Sequence, residues 1–384
     1  MSSKRIMDIE LLRAIAVIGV LFHHIQSMPL PGGMPRLAAT ADIFQLWWGV
    51  DLFFAISGFV IGRNLIPQLR RCDTPRQFWA TTREFWIRRA FRLLPSAWLW
   101  LLLVLFAVFF FNRSGAFGSI EANLQATLAG FLQFANVRFG DAFMRYEYGA
   151  SFVYWTLSLE EQFYLILPLL VFVTRRYLVW VLLAVVLLQF FTMRGLWLMV
   201  FRTDALALGV LLSVWSLRSD YERFEPKWLR RSGLGALLIM GLGGVMAVIA
   251  TEHFNFSFYR IGVIALLSAV LVWVASYDRD YLLPPSPVKT ALTWVGSRSY
   301  GIYLIHIPVF FLLRELWFRF SPLGSPDMAS HPWLALACGL SLIGLLSELN
   351  YRLVEMPLRA RGAQLVQRLS ANRTVLPASG APSC

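Results

Sequence analysis

An apolar stretch near the start of the chain reads Glu-Leu-Leu-Arg-Ala-Ile-Ala-Val-Ile-Gly-Val-Leu-Phe-His-His, which sets Glu10, Arg13, His23 and His24 among residues suited to a membrane core. On a helix, eleven positions at about 100° each come close to three full turns, so Arg13 and His24 share a face while His23 lies about a quarter-turn away. A histidine beside carboxylates is a general-base arrangement: imidazole changes charge near neutral pH, and a carboxylate orients it and stabilises its protonated form. A polar pair that merely stabilises a helix bundle explains this one stretch equally well. Other apolar stretches shift the balance, because Asp51, Glu160, Glu161, Arg202 and Asp204 all fall inside them.

Depth follows from a rise of about 1.5 Å per residue and a hydrocarbon core of about 30 Å. Counted this way, His24 falls within roughly 8 Å of the outer boundary and the five charges fall roughly 10 to 14 Å below it. A charge near the bilayer centre costs about 2.5 to 3.5 kcal/mol, so such groups should face one another or a water-filled cavity. The expectation is a polar chamber in the outer half. His24 is its general base, Glu160 or Glu161 orients His24, and Asp51, Arg202 and Asp204 line the substrate site with Glu10. The structural alternative for either glutamate is a salt bridge to Arg202.

On the opposite side, Arg88, Arg89 and Arg92 stand in Trp-Ile-Arg-Arg-Ala-Phe-Arg-Leu-Leu-Pro, and the i, i+3 spacing puts Arg89 and Arg92 on one helical face. Two guanidiniums suit the phosphates of a donor entering from the cytoplasm, although topogenic charge or anionic lipid explains any single arginine. His306, with Tyr303 one turn earlier, should line the same passage, but a lone helix histidine is more often structural and ranks below His24. Glu355 is three residues from Arg352, and a pair between them is the simple account. Cys72, Cys338 and Cys384 show no metal-ligand spacing, and no metal site is expected.

The elements that position these groups are membrane spans. The chain has 384 residues, of which 58% are apolar and only 15% charged, far from the balance of a soluble domain. Apolar runs fall at about 9–28, 43–65, 92–112, 152–173, 177–193, 195–217, 233–251, 257–276, 299–318 and 333–353. The expected fold is therefore all-α, a polytopic membrane protein of about ten transmembrane helices. The net charge of +13 would suit nucleic acid if it were clustered, but 25 of the 35 Lys and Arg sit in the termini and the loops of one side. Eight sit opposite, and Arg13 and Arg202 lie inside spans. By the positive-inside rule both termini are cytoplasmic, membrane lipid is the partner of the basic loops, and no nucleic acid is expected. No cleavable signal is expected, because Arg13, His23 and His24 interrupt the first run. Residues 1–361 read as one membrane domain. The segment 362–384, rich in Ala, Ser, Arg and Pro, reads as a disordered cytoplasmic tail. The amphipathic stretch Ala122 to Val137 in the long outer loop could lie at the interface or plug the outer mouth. No internal repeat is evident.

Taken in order, these segments resemble the acyltransferase-3 family of integral membrane acyltransferases. The matching stretches are Leu-Leu-Arg-Ala-Ile-Ala-Val with His24 beyond, Gly-Val-Asp-Leu-Phe-Phe-Ala-Ile-Ser-Gly-Phe at 49–59 and Arg-Arg-Ala-Phe-Arg-Leu-Leu-Pro at 88–95. Trp-Thr-Leu-Ser-Leu-Glu-Glu-Gln-Phe-Tyr at 155–164, Ser-Tyr-Gly-Ile-Tyr-Leu-Ile-His at 299–306 and Glu-Met-Pro at 355–357 complete the series. The resemblance implies transfer of an acyl group, commonly acetyl, from cytoplasmic acyl-CoA to a hydroxyl presented outside, in the cytoplasmic membrane of a bacterium. It assigns catalysis to Arg13, His24, Glu160 and Glu161 and the donor to Arg89 and Arg92. Acyl-CoA is then a co-substrate, with no cofactor bound permanently, and the acceptor is a surface polysaccharide or lipid-linked glycan such as O-antigen. The chain departs from the family where Glu10 replaces the usual Asp and Leu11 the usual Gly. Members with an attached hydrolase-like domain continue well beyond ten helices, so this chain is expected to act alone or with a separate partner. O-acylation of a small molecule such as a macrolide, or a glycan flippase whose charges bind and relay, are the alternatives.

Overall fold

The computed structural model describes residues 5–27, 39–230, 233–254, 259–320 and 331–375, with side chains up to residue 371. In chain order the helices are α1 (Met7–Ser27), α2 (Gly49–Arg70), α3 (Pro75–Phe110), α4 (Ile120–Phe131), α5 (Ala135–Ala142), α6 (Tyr154–Thr174), α7 (Leu178–Phe190) and α8 (Leu196–Val200). There follow α9 (Asp204–Trp215), α10 (Leu234–Ile249), α11 (Arg260–Ala275), α12 (Pro287–Ser297), α13 (Ser299–Phe320), α14 (Pro332–Asn350) and α15 (Met356–Val375). No strand occurs among the described residues. Each apolar run of the sequence falls on helix, although the run at 195–217 is broken into α8 and α9 by Phe201, Arg202 and Thr203. Among the described residues, six helical stretches are long and apolar enough to cross a membrane by length and composition, and Leu234–Ile249 and Arg260–Ala275 are shorter apolar helices. The chain is an all-α polytopic membrane protein.

Several helices begin where local chemistry starts them. Thr74 caps α3, its side chain accepting from the Gln77 N–H at 3.3 Å, and Pro75 takes the first helical position where no N–H is needed. Ser286 and Pro287 open α12 in the same way. Between α6 and α7, Arg175 turns the chain with φ at 46°. The α3 helix has 36 residues, about 54 Å of rise against a hydrocarbon core of about 30 Å, so its first turns extend beyond the core. Arg88, Arg89 and Arg92 stand on that rigid extension, at what is called here the arginine end of the bundle.

At the centre α2 packs along α9, with α1 and α11 beside them. Small residues allow the approach: a Cβ on Gly58 would lie 2.1 Å from the Leu206 carbonyl oxygen, and one on Gly209 would lie 2.2 Å from that of Ala55. Lipid is as apolar as leucine, so contact between such helices rests on close backbone packing and not on water exclusion.

The opposite end is capped. The stretch Ala122 to Val137 belongs to α4 and α5, which dock on the bundle rather than lying loose. Ala135 N–H donates to Ser158 Oγ at 3.1 Å, Asn136 and Gln162 exchange amide bonds, and Trp98 stacks on Phe131 at 5.2 Å. Glu315 of α13 anchors the start of this loop, accepting from the Arg113 and Ser114 N–H groups at 2.9 and 2.8 Å.

The C-terminal segment corrects the expectation of disorder from residue 362. Helix α15 continues to Val375, and it lies along α3: Val366 is 4% exposed and Ser370 Oγ donates to Glu84 at 3.1 Å. Glycine at 362 lets the helices touch, since a Cβ there would lie 2.5 Å from that of Phe91. Composition alone missed this because the segment finds its order in a groove of α3 and not in a core of its own. Residues 376–384 lie outside the described residues.

Candidate active site

At the arginine end, guanidiniums from three helices converge. Arg89 lies over the Tyr164 ring of α6 at 4.5 Å. Arg92 lies within electrostatic reach of Arg89, of Arg13 from α1 and of Arg359 from α15. Arg13 is bound to Glu10 at 3.0 Å, and Glu355 of the same neighbourhood accepts from Asn350 at 2.7 Å. Arg88 does not join them. It turns to Glu84 at 4.0 Å with its side chain 41% exposed, which separates it from the pair it was grouped with. The expected pair of Glu355 with Arg352 is also absent. A π-helical turn at Tyr351–Glu355 widens the helix, and Arg352 pairs instead with Glu348.

The paired glutamates belong with these arginines. Glu161 lies within reach of both Arg89 and Arg92, and Glu160 accepts from the Ser57 hydroxyl of α2 and the Tyr164 hydroxyl. With Tyr154 and Tyr300 the two carboxylates line a small cavity of about 10 Å³, on the scale of a single water. Among the described residues no hydrogen bond joins either glutamate to His24. The expectation that one of them orients His24 is not what the structure places there.

The partner of His24 is His306. Nε2 of His306 stands 3.1 Å from Nδ1 of His24, with ring centres 4.9 Å apart. His306 is 1% exposed, and its Nδ1 lies 2.7 Å from the Tyr303 carbonyl oxygen and 3.2 Å from that of Ile302. The Tyr303 hydroxyl bonds Thr156 of α6 at 2.7 Å, one turn before Glu160. Arg13, eleven residues from His24, is about 16 Å away along α1, so its shared face leads to the donor arginines and not to the imidazole.

Beyond the histidines, Asp51, Arg202 and Asp204 form a separate knot with a residue the sequence reading missed, Arg194. Arg202 pairs with Asp51 at 3.1 Å and Arg194 with Asp204 at 2.5 Å, every one of these side chains being at most 4% exposed. Trp47 and Trp155 each present a ring centre 5.3 Å from the Arg202 guanidinium. The single layer expected from depth is thus divided. Asp51 and Ser57 are six residues apart, about 9 Å along α2, so the knot and the Glu160 cluster occupy different levels. Residue counting gives depth on a straight helix but not the face, and the break before α9 swings Arg202 toward Asp51.

A cavity of about 450 Å³ opens under the cap, lined by Phe139, Phe143, Tyr148 and Phe152 with Glu147 and Arg314. Phe152 of its wall also touches His24, the two rings meeting edge-on at 5.6 Å. No group of three or more metal-ligating side chains occurs among the described residues.

A helical bundle with a buried histidine pair, an arginine cluster on one side and an aromatic cavity on the other defines a polytopic membrane protein built around one internal site. The chain belongs to the acyltransferase-3 family, whose model, described as an acyltransferase domain, matches residues 6–347. It is similar to the peptidoglycan O-acetyltransferase OatA of Listeria monocytogenes, 28% identical over 94% of this chain and 57% of that protein. It is also similar to the putative peptidoglycan O-acetyltransferase YrhL of Bacillus subtilis, 26% identical over 93% of this chain and 55% of the relative. The O-acetyltransferase OatA of Staphylococcus aureus is 25% identical over 91% of the chain and 57% of its own length. The chain therefore spans somewhat more than half the length of these relatives. No solved structure matches it.

Proposed function

We propose that this chain is a membrane O-acetyltransferase that takes acetyl from acetyl-CoA on the cytoplasmic side and delivers it to a hydroxyl of a cell-surface glycan outside. Peptidoglycan is the acceptor the relatives' names favour. The observation that carries the reading is unlike chemistry at the two ends of one bundle. Guanidiniums drawn from three helices to one end of the bundle suit the phosphates of a nucleotide thioester. Aromatic rings with a few polar groups suit the faces and hydroxyls of a sugar. Between them lies the histidine pair.

In the reaction, the imidazole of His24 takes the acceptor's hydroxyl proton while the oxygen attacks the thioester carbonyl. The new C–O bond forms, the C–S bond breaks, and the leaving thiolate recovers the proton from the imidazolium. Arg13, Arg89, Arg92 and Arg359 hold the donor phosphates. Glu160 and Glu161 position the wall along which the acyl arm passes.

Sidedness tests this. Purified protein in sealed vesicles sorted by orientation is given radiolabelled acetyl-CoA on one face and a soluble glycan fragment on the other. Label should reach the glycan only when the donor is on the face that carries Arg89 and the acceptor on the cap face. Transfer that requires both on one face would overturn the reading, as would glycan crossing without label.

A further inference from the structure

The contacts of His306 bear directly on which nitrogen of His24 is bare. Nδ1 of His306 lies 2.7 and 3.2 Å from the carbonyl oxygens of Tyr303 and Ile302, and a carbonyl can only accept. Nδ1 therefore carries the ring proton. A neutral imidazole protonated there has a bare Nε2, and that atom stands 3.1 Å from Nδ1 of His24. The proton in this contact must come from His24, whose own Nε2 is then left as a lone pair. A doubly protonated His306 would reverse the argument, but no carboxylate is hydrogen-bonded to either ring among the described residues. An unpaired cation in a buried site is costly. The groups facing the pair are the Val20 carbonyl, which like His306 can only accept a proton from His24, with His23 and Phe152 beside it, and Tyr303 and Phe310 beside His306. The charges that reach Tyr303, Arg202 and Glu160, are opposite in sign.

We infer that His306 is a positioning residue that holds His24, through its Nε2, in the tautomer whose Nε2 accepts the acceptor's proton. The inference rests on the O-acetyltransferase reading above. Once His24 is protonated, its Nδ1–H still donates to His306 and the bond becomes charge-assisted, so the same contact serves both states of the base. No carboxylate is then required next to the catalytic ring, which accounts for the glutamates being engaged elsewhere.

Three substitutions separate this role from a structural one. Glutamine at 306 can place Oε1 where the imidazole Nε2 lies, so it can accept from His24. Asparagine keeps a donor near Nδ1, and with it the backbone bond, but stops short of His24. Leucine keeps only bulk. His306→Gln should retain kcat within about tenfold, whereas His306→Asn and His306→Leu should lose at least about 100-fold. In each, the KM for acetyl-CoA should stay within about twofold, because the donor groups are untouched. Asparagine matching glutamine would overturn the inference by showing that only the backbone bond matters. So would a folded His306→Gln as inactive as leucine, or all variants within about threefold of the parent. An active His24→Ala enzyme would instead remove the underlying reading. An inactive His24→Ala beside a fully active His306→Leu would remove this inference alone.

Discussion

Replacing Asp51 by asparagine tests whether the knot around Arg202 is scaffold or chemistry. At 3.1 Å and an effective dielectric of about 20, the Asp51 and Arg202 charges attract by about 5 kcal/mol, against which both desolvation costs are set. Removing one partner leaves the other buried and unpaired, which costs about 3 to 5 kcal/mol. Asp51 also feels the like charge of Asp204, a repulsion its removal relieves, so Asp51→Asn should fall at the low end, about 3 kcal/mol. Arg202→Gln should cost about 4 kcal/mol, because the contacts with Trp47 and Trp155 add about 1 kcal/mol. The double variant leaves no orphan charge and should be less destabilised than the sum by at least about 2 kcal/mol. Reversible unfolding in detergent, followed by tryptophan fluorescence, reads all three. Activity per folded molecule in the double variant should stay within about threefold of the parent. Additive single effects would refute the pairing, and a folded but inactive double variant would return these residues to the substrate site.

The donor cluster makes a graded prediction. Arg92→Gln and Arg359→Gln should raise the KM for acetyl-CoA about tenfold or more with kcat little changed, while Arg88→Gln, already turned to Glu84, should move it less than about twofold; steady-state kinetics over donor concentration check this. At the packing seam, Gly58→Val puts side-chain atoms into the Leu206 backbone and should abolish a monodisperse folded species on size-exclusion chromatography, whereas Gly241→Ala, with open space at its Cβ, should leave the profile unchanged.

Much of the scaffold is legible in the sequence because lipid imposes a simple rule on it: long apolar runs become helices, and each run read from the chain does so. Individual site residues are legible too, since an ionisable side chain in such a run is rare enough to stand out. Their partners are not. His24 and Glu160 fall at similar computed depths, yet Glu160 faces Ser57 and Tyr164 while His24 faces His306, because rotation about each helix axis decides the neighbour. Arg194 escaped notice as a loop residue, although it stands ten positions before Asp204 across a break that brings them together. Arg359 escaped because it lies past the last apolar run, on a helix whose packing against α3 is not written in its own composition. Helix periodicity is visible in one segment; the groove that selects its face belongs to another.

The central claim, that His24 performs the chemistry, is tested most directly by the turnover of His24→Ala in purified, folded form. A drop in kcat of about 10³-fold is expected, with the KM for acetyl-CoA within about twofold, since the arginine cluster lies about 16 Å away along α1. Turnover within about threefold of the parent would contradict the account.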